Sequence, residues 1–396
     1  MVSVRSKPLV QSKDAQFLII QDDQEERRTQ SSRGFIWKVA LRFLVIFLFA
    51  LTVSLTFAFL VKSMKQQYVS VMDHSNSFSP EIDAPSLPYV DRYIAFMAKY
   101  SREYTNNQTM EKFKNYEKSL KYIELLNEQE TYGAVYGEND LSDWSDEEFA
   151  KTLLPKTFYK TLRKEATFIR NDPPTRERAA PLPEHFDWRD KNVITPVKAQ
   201  GQCGSCWAFA ATATVEAAYA ISHGEKRNLS EQTLLDCDFA DNACDGGDED
   251  KAFRYIHRNG LAYATELPYV AHRQNSCSVH GNVTKIEVAY FLHPDEKSMI
   301  DWLVNFGPVN IGISVTQPMR AYKEGVFWPN EDDCKNKVIG LHALMIVGYG
   351  VSERGEPYWI VKNSWGDTWG TENGYVYFAR GVNACGIEDE PIGILA

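Results

Sequence analysis

Apolar positions along this chain follow different rhythms, and each change of rhythm marks an element. From Phe43 to Val61 there are 19 residues without a charge, dense in Phe, Leu, Val and Ile. At helical rise that length spans the hydrocarbon core of a bilayer. From Tyr89 to Glu130 the apolar residues recur at three- and four-residue intervals: Tyr93, Phe96, Met97, Tyr100 and Tyr104, then Phe113, Tyr116, Leu120, Ile123 and Leu126. The spacing predicts two amphipathic helices, with Asn106 and Asn107 at the break. Ala208 to Ala220 is alanine-rich with few β-branched residues and no Pro or Gly, and reads as a buried helix. The continuous run Ala343–Val347 and the stretch Tyr358–Lys362 read as strands. Periodicity alone gives a mixed α and β class.

Polar stretches divide these elements. Residues 1–42 are polar and mixed in charge, with Arg27, Arg28, Arg33, Lys38 and Arg42 crowding the approach to the apolar run. A cleaved signal peptide usually has a shorter apolar region nearer residue 1, so 43–61 reads as an uncleaved signal anchor. The positive excess before it makes 1–42 a cytosolic tail and puts everything after Lys62 on the lumenal side. Residues 62–88 form a polar, Ser- and Pro-containing stalk. Residues 151–181 are a linker whose basic, breaker-containing part, Phe158 to Pro181, is expected to be exposed and to be cut on activation.

The net charge of −10 argues against nucleic acid as a partner and suits work in an acidic or extracellular space. All of the excess negative charge lies from Leu182 onward. The seven cysteines fall between Cys203 and Cys385. An odd count suits three disulfides and one free thiol in an oxidising compartment, and sequence cannot choose among the 15 pairings of six cysteines. No CxxC pair has a matching second pair or His couple, so neither a metal nor another cofactor is expected.

The candidate chemistry centres on Gln200-Gly-Gln-Cys203-Gly-Ser-Cys206-Trp207, which runs directly into the alanine-rich helix. A thiol in a helix's first turn meets unpaired N–H groups and the positive end of the dipole, both of which favour thiolate, the nucleophilic form. The string fits C-G-[SA]-C-[WY]. Gly340-Leu-His342-Ala343 follows 136 residues after Cys206, and Asn363-Ser-Trp-Gly366 follows 157 after. In these motifs and spacings the chain resembles the papain-like cysteine peptidases, in their cathepsin L-like and cathepsin F-like branch.

That resemblance implies an α+β fold of two domains over residues 182–396. One is helical and carries Cys206, the other is a β-barrel carrying His342 and Asn363, and the site lies in the cleft between them. It implies that Cys206 attacks the carbonyl carbon and His342 moves the proton. Asn363 orients the imidazole under the shield of Trp365, and Gln200 donates to the oxyanion. It pairs Cys203 with Cys244, Cys237 with Cys277, and Cys334 with Cys385. Gly246 and Gly247 would bind an extended substrate backbone.

The chain departs from the family at the S2 subsite. Asp248-Glu-Asp250 follows the paired glycines where apolar residues are usual, Leu341 replaces a polar residue, and Glu390 stands at the base of the pocket. Asp248 and Glu390 together suggest a preference for Arg or Lys at P2, while a run of acids at this position could equally cap the next helix. Residues 89–150 look like the family's inhibitory propeptide. The long-helix motif is degraded to Gln108, Lys112, Tyr116, Ser119, Ile123 and Asn127, but Gly137-x-Asn139-x-Leu141-x-Asp143 follows the second motif.

The implied function is a membrane-anchored proenzyme of a cysteine endopeptidase, since the interval from Cys277 to His342 leaves no room for an occluding loop. Its partners would be peptide and protein substrates, its own propeptide, cystatin-like inhibitors, and a membrane through 43–61. The processed enzyme would be lysosomal or secreted. Sequons at Asn107, Asn228 and Asn282 fit a lumenal surface. A non-catalytic anchored binding protein and a transpeptidase on the same site are the alternatives. The intact Cys206, His342, Asn363 and Gln200 argue against the former, and only a product assay separates the latter.

Overall fold

The computed structural model describes residues 62, 87–156, 162–176 and 181–396. The expected tail, the apolar run 43–61 and nearly all of the stalk lie outside the described residues. Among the described residues no helix is long and apolar enough to cross a membrane.

The N-terminal module is a helical hairpin of α1 (Leu87–Lys99) and α2 (Asn106–Gln129). Its core is aromatic: the Tyr116 ring lies 4.8 Å from Phe96 and 5.1 Å from Tyr93. The break falls before Asn106 and Asn107, which open α2. Thr105 ends the turn, and the Gln108 side chain accepts its backbone N–H at 3.1 Å, half of a capping box that outweighs the turn preference of asparagine. The two-residue β1 (Val135–Tyr136) and the short helix α3 (Asp146–Ala150) follow. After it come one helical turn, α4 (Leu162–Glu165), and β2 (Phe186–Asp187).

Three helices then build one half of the C-terminal module: α5 (Cys206–His223), α6 (Gln232–Cys237) and α7 (Glu249–Arg258). The alanine-rich α5 is buried on nearly every side, and Gly224 in the left-handed conformation ends it. The other half is built on β3 (Val288–Phe291), α8 (Glu296–Asn305), β4 (Val309–Val315), β5 (Tyr322–Glu324), β6 (Val326–Phe327), β7 (Gly340–Val351), β8 (Pro357–Lys362), β9 (Tyr375–Ala379) and β10 (Ile392–Leu395), with short helices at Gln317–Arg320 and Glu331–Asn336. The large sheet has the order β3-β10-β4-β7-β8-β9-β6, antiparallel except for β6 on β9, with β2 added to β7. No pairing among the described strands joins β3 to β6, so the expected barrel is a sheet left open in its hydrogen bonding. Its end strand β6 is only two residues long.

One core joins the two halves. Trp207 and Val215 of α5, Phe253 and Ile256 of α7, Leu341 and Ala343 of β7, and Ile392 and Ile394 of β10 share a buried cluster. Disulfides link Cys203 to Cys244, Cys237 to Cys277 and Cys334 to Cys385, leaving Cys206 as the free cysteine. The N-terminal module adds its own strand to the sheet half: β1 pairs antiparallel with β5, Val135 opposite Glu324.

Candidate active site

Cys206 begins α5, and His342 lies in β7, which packs against that helix. Cys206 and Ala343, the residue after His342, lie in one buried cluster, and the Ala343 N–H favours the thiolate, so the thiol sits against the strand that carries the imidazole. His342 Nε2 is 2.8 Å from Asn363 Oδ1, and the same oxygen accepts the Ser364 backbone N–H at 2.7 Å. An oxygen that already accepts one N–H must also be the acceptor for His342, so Nε2 carries a hydrogen. Nδ1 is buried and without a hydrogen-bond partner. It is the nitrogen left over for proton exchange. Trp365 stacks on the ring at 4.7 Å and keeps water from the His342–Asn363 bond.

Gln200 is fully buried, and its orientation is fixed in the same way. Its Oε1 accepts the Ser364 hydroxyl at 2.7 Å, so its Nε2 faces outward as a donor. That Nε2 donates to the carbonyl of Cys203 at 2.7 Å and to the carbonyl of Thr152 at 2.8 Å. Thr152 belongs to the segment that follows the N-terminal module. Two residues on, Leu154 and Leu341 exchange both backbone hydrogen bonds, at 2.7 and 2.9 Å. Leu153 and Leu154 are buried, and the Leu153 side chain fills the space that a Cβ on Gly340 would need. The chain therefore runs through the site as an extra strand and closes it.

Closure changes the electrostatics. Burial pushes the Cys206 thiol up to about 12, outweighing backbone N–H groups that pull it down, with the Glu249 carboxylate adding to the rise. Burial also pulls His342 down to about 4, against the hydrogen bond to Asn363. The helix-end argument favours thiolate, but in a dry site desolvation is the larger effect and both groups are neutral.

The remaining candidates fall in different places. Gly247 packs under Trp207, whose ring leaves no room for a Cβ, and the Gly246 carbonyl accepts the Asn242 N–H at 2.8 Å. Asp248 is used by its own helix: it caps α7 by accepting the Lys251 N–H at 3.0 Å and forms an ion pair with the Lys251 ammonium at 2.6 Å. Glu390 lines a cavity of about 720 Å³ together with Leu341 and Gly312, and pairs with Arg163 of the linker at 3.3 Å. The linker is held at Arg163, while Lys164, Arg170 and Arg176 are exposed. Asn107, Asn228 and Asn282 are exposed.

Sequence reasoning passed over several residues that shape the site. Ser364 orients both Gln200 and Asn363, and stood in the Asn-Ser-Trp-Gly string. Phe149 of α3 packs edge-on against Trp365 at 5.1 Å. Arg320 is buried and donates to the carbonyls of Leu141 (2.7 Å) and Trp144 (2.5 Å), while Asn139 Nδ2 donates back to its carbonyl at 2.9 Å. Nothing local in the sequence marks Arg320, since its partners lie about 180 residues away.

Comparison with known proteins agrees with this geometry. Residues 182–395 match the family described as papain family cysteine protease, and 93–149 match the cathepsin propeptide inhibitor domain. The chain is 37% identical over 309 residues to cathepsin F of Drosophila melanogaster, covering 75% of this chain and 49% of that protein, so it spans about half the length of that relative. Ananain of Ananas comosus is 33% identical, with 78% of this chain and 89% of ananain covered. The solved structure of digestive procathepsin L2 proteinase from Tenebrio molitor larval midgut superimposes with a TM-score of 0.70 at 31% identity, covering 78% of this chain and 100% of that one. By sequence, by fold and by the segment lying across its cleft, the chain belongs to the papain family of cysteine proteases and carries that family's propeptide inhibitor domain.

Proposed function

We propose that the chain is the inactive proenzyme of a cysteine endopeptidase, with Cys206 as nucleophile. Once the cleft opens to water, the thiol proton passes to His342 Nδ1, and each charge then stabilises the other. The thiolate attacks the scissile carbonyl carbon, and Gln200 Nε2 with the Cys206 backbone N–H receives the oxyanion. His342 returns its proton to the leaving amine, leaving a thioester that water hydrolyses with His342 as base. Asn363 and Trp365 hold the imidazole for both transfers. The observation that carries this reading is the Gln200 hydrogen bond to the Thr152 carbonyl: the donor meant for a substrate oxygen is occupied by the propeptide. The test is to acidify the full chain, add a thiol-alkylating reagent and map the labelled residue. Processing with label on Cys206 is expected; an unprocessed chain without peptidase activity, or label elsewhere, would overturn it.

Finer points rest on the same reading. Residues 43–61 anchor the proenzyme in a membrane with 1–42 in the cytosol, the processed enzyme is lysosomal or secreted, and Asn107, Asn228 and Asn282 carry glycans. Glu390 favours Arg or Lys at P2, supported by its ion pair with Arg163. With Asp248 engaged by α7, Glu390 supplies that preference without it. A P2 peptide library in which Leu or Phe is cleaved as well as Arg would contradict this. Hydrolysis rather than amine transfer is expected in a product assay with an added amine acceptor.

A further inference from the structure

Beyond the cleft, a second piece of the linker is seated on the protease, and nothing in the catalytic chemistry accounts for it. Asp250, in the first turn of α7, is buried and faces the linker backbone. Its Oδ1 accepts the N–H groups of Phe168 (2.7 Å) and Ile169 (2.9 Å), and its Oδ2 accepts the N–H (3.1 Å) and hydroxyl (3.2 Å) of Thr167. Arg254, one turn along α7, donates to the same hydroxyl at 3.0 Å. Arg170 then joins the sheet beside Tyr290: its N–H donates to the Ala289 carbonyl at 3.0 Å, and its carbonyl accepts the Phe291 N–H at 2.8 Å. Ile169 is buried in the core cluster, and Phe168 lies 5.1 Å from the His257 ring. At the near end Arg163 donates to the Leu292 carbonyl at 2.9 Å and lies over the Phe291 ring.

These contacts have the form of peptide recognition by strand addition. β3 is an end strand of the sheet, so its outer edge can take one more strand. Three consecutive backbone N–H groups converging on one carboxylate read a bend at Thr167–Ile169, since those of an extended chain point to opposite sides. The strand pairing itself is made at Arg170, the Ile169 hollow asks for a branched aliphatic side chain, and the thiol and imidazole take no part. Removal of the linker leaves the Asp250 carboxylate paired only with Arg254 and without its three backbone donors, together with an open apolar hollow and a bare strand edge. All three favour rebinding of a segment of the same chemistry.

We propose that this surface is a peptide-binding exosite of the processed protease, and that its occupant is the chain's own linker. A cut after Asp172, where Asn171 and Asp172 are exposed, then leaves the inhibitory module tethered to the enzyme at a second place. The proposal rests on the reading that the N-terminal module inhibits the cleft. Two attachment points on one chain raise its effective concentration at the cleft, so a propeptide ending at Asp172 inhibits more strongly than one ending at Lys156.

The test uses the processed enzyme, freed of its propeptide by its own action or by an added protease and with Cys206 capped by a small alkylating reagent. A fluorescent peptide copying residues 165–172, which leaves out the Arg163 that pairs with Glu390 in the cleft, is titrated against it. Saturable binding is expected, with affinity falling by about tenfold or more in the Asp250→Ala enzyme and lost when the peptide carries Ile169→Asp. In uncapped enzyme the peptide should leave hydrolysis of a small substrate unchanged. No binding, equal binding by the Asp250→Ala enzyme, or competition between the peptide and a small cleft inhibitor would each overturn the exosite. Activity of the uncapped sample reports separately on the protease reading, so the two can fail independently.

Discussion

The propeptide meets the protease differently at its docking face and in the cleft. At the docking face the contacts are between particular side chains and the fold. Arg320 reaches two carbonyls and the Asp146 carboxylate, Asn139 answers it, and Phe149 lies against Trp365. In the cleft, by contrast, the contacts are backbone to backbone at Leu154 and Leu341 and one carbonyl on Gln200, with Leu153 packed on Gly340 and Arg163 paired with Glu390 as substrate side chains would be. The cleft contacts are ones that any extended peptide could make, so the cleft cannot tell its inhibitor from a substrate. Discrimination must come from the docking face, which substrates do not touch.

Substitutions can break this contrast, and the largest effect is expected on the cleft side. Cys206→Ser should lower kcat/KM for a peptide substrate by about 10⁴-fold or more while leaving the propeptide docked. Gln200→Ala comes next, with kcat falling by about 10²- to 10³-fold, because the oxyanion loses one of two donors. Propeptide binding should weaken less, since Thr152 loses a single hydrogen bond. Arg320→Ala should reverse the pattern. The inhibition constant of the propeptide added in trans should rise by about 10²-fold, from the loss of buried charge-assisted hydrogen bonds, with little change in hydrolysis of a small peptide.

The smallest effect is a pH dependence. Asp146 is held below its ordinary value of 3.8, first by its hydrogen bond to Lys118, then by the charges of Lys118 and Arg320. Lys118 shares the N-terminal module with Asp146, so only the Arg320 charge and the Gln317 hydrogen bond, both made across the docking face, lower the carboxylate further on docking. That part supports docking above the ordinary value and is lost as pH falls through the docked value. Propeptide affinity measured across the acid range should therefore decline by a fewfold more in the parent than in the Asp146→Asn variant.

How much of this was legible in the sequence follows from how local each feature is. Helix α5, strands β7 and β8 and the aromatic hairpin announce themselves through apolar spacing. Cys206, His342 and Asn363 stand in strings whose neighbours also build the site, as Ser364 does. The features that were not legible depend on distant chain. Arg320 and Asp250 are ordinary surface-type residues until segments 80 to 180 positions away supply their partners. Asp248 and Asp250 are two positions apart in one acidic run, yet the first caps its helix and the second grips the linker. Composition treats them alike, and only the direction each side chain takes from α7 separates them. The neutral thiol of the covered form was not legible for a related reason: a helix dipole is visible in sequence, whereas desolvation by a segment 50 residues upstream is not.

The most direct measurement is the rate of Cys206 alkylation in the proenzyme and in the processed enzyme from pH 4 to pH 9. With the thiol driven up to about 12 and His342 down to about 4 by the covering segment, the proenzyme should react slowly and only faster as pH rises. The processed enzyme should react about 10³-fold faster near pH 6, with little dependence on pH where the thiolate and imidazolium coexist. Equal rates in the two forms, or an ordinary thiol titration after processing, would contradict the account.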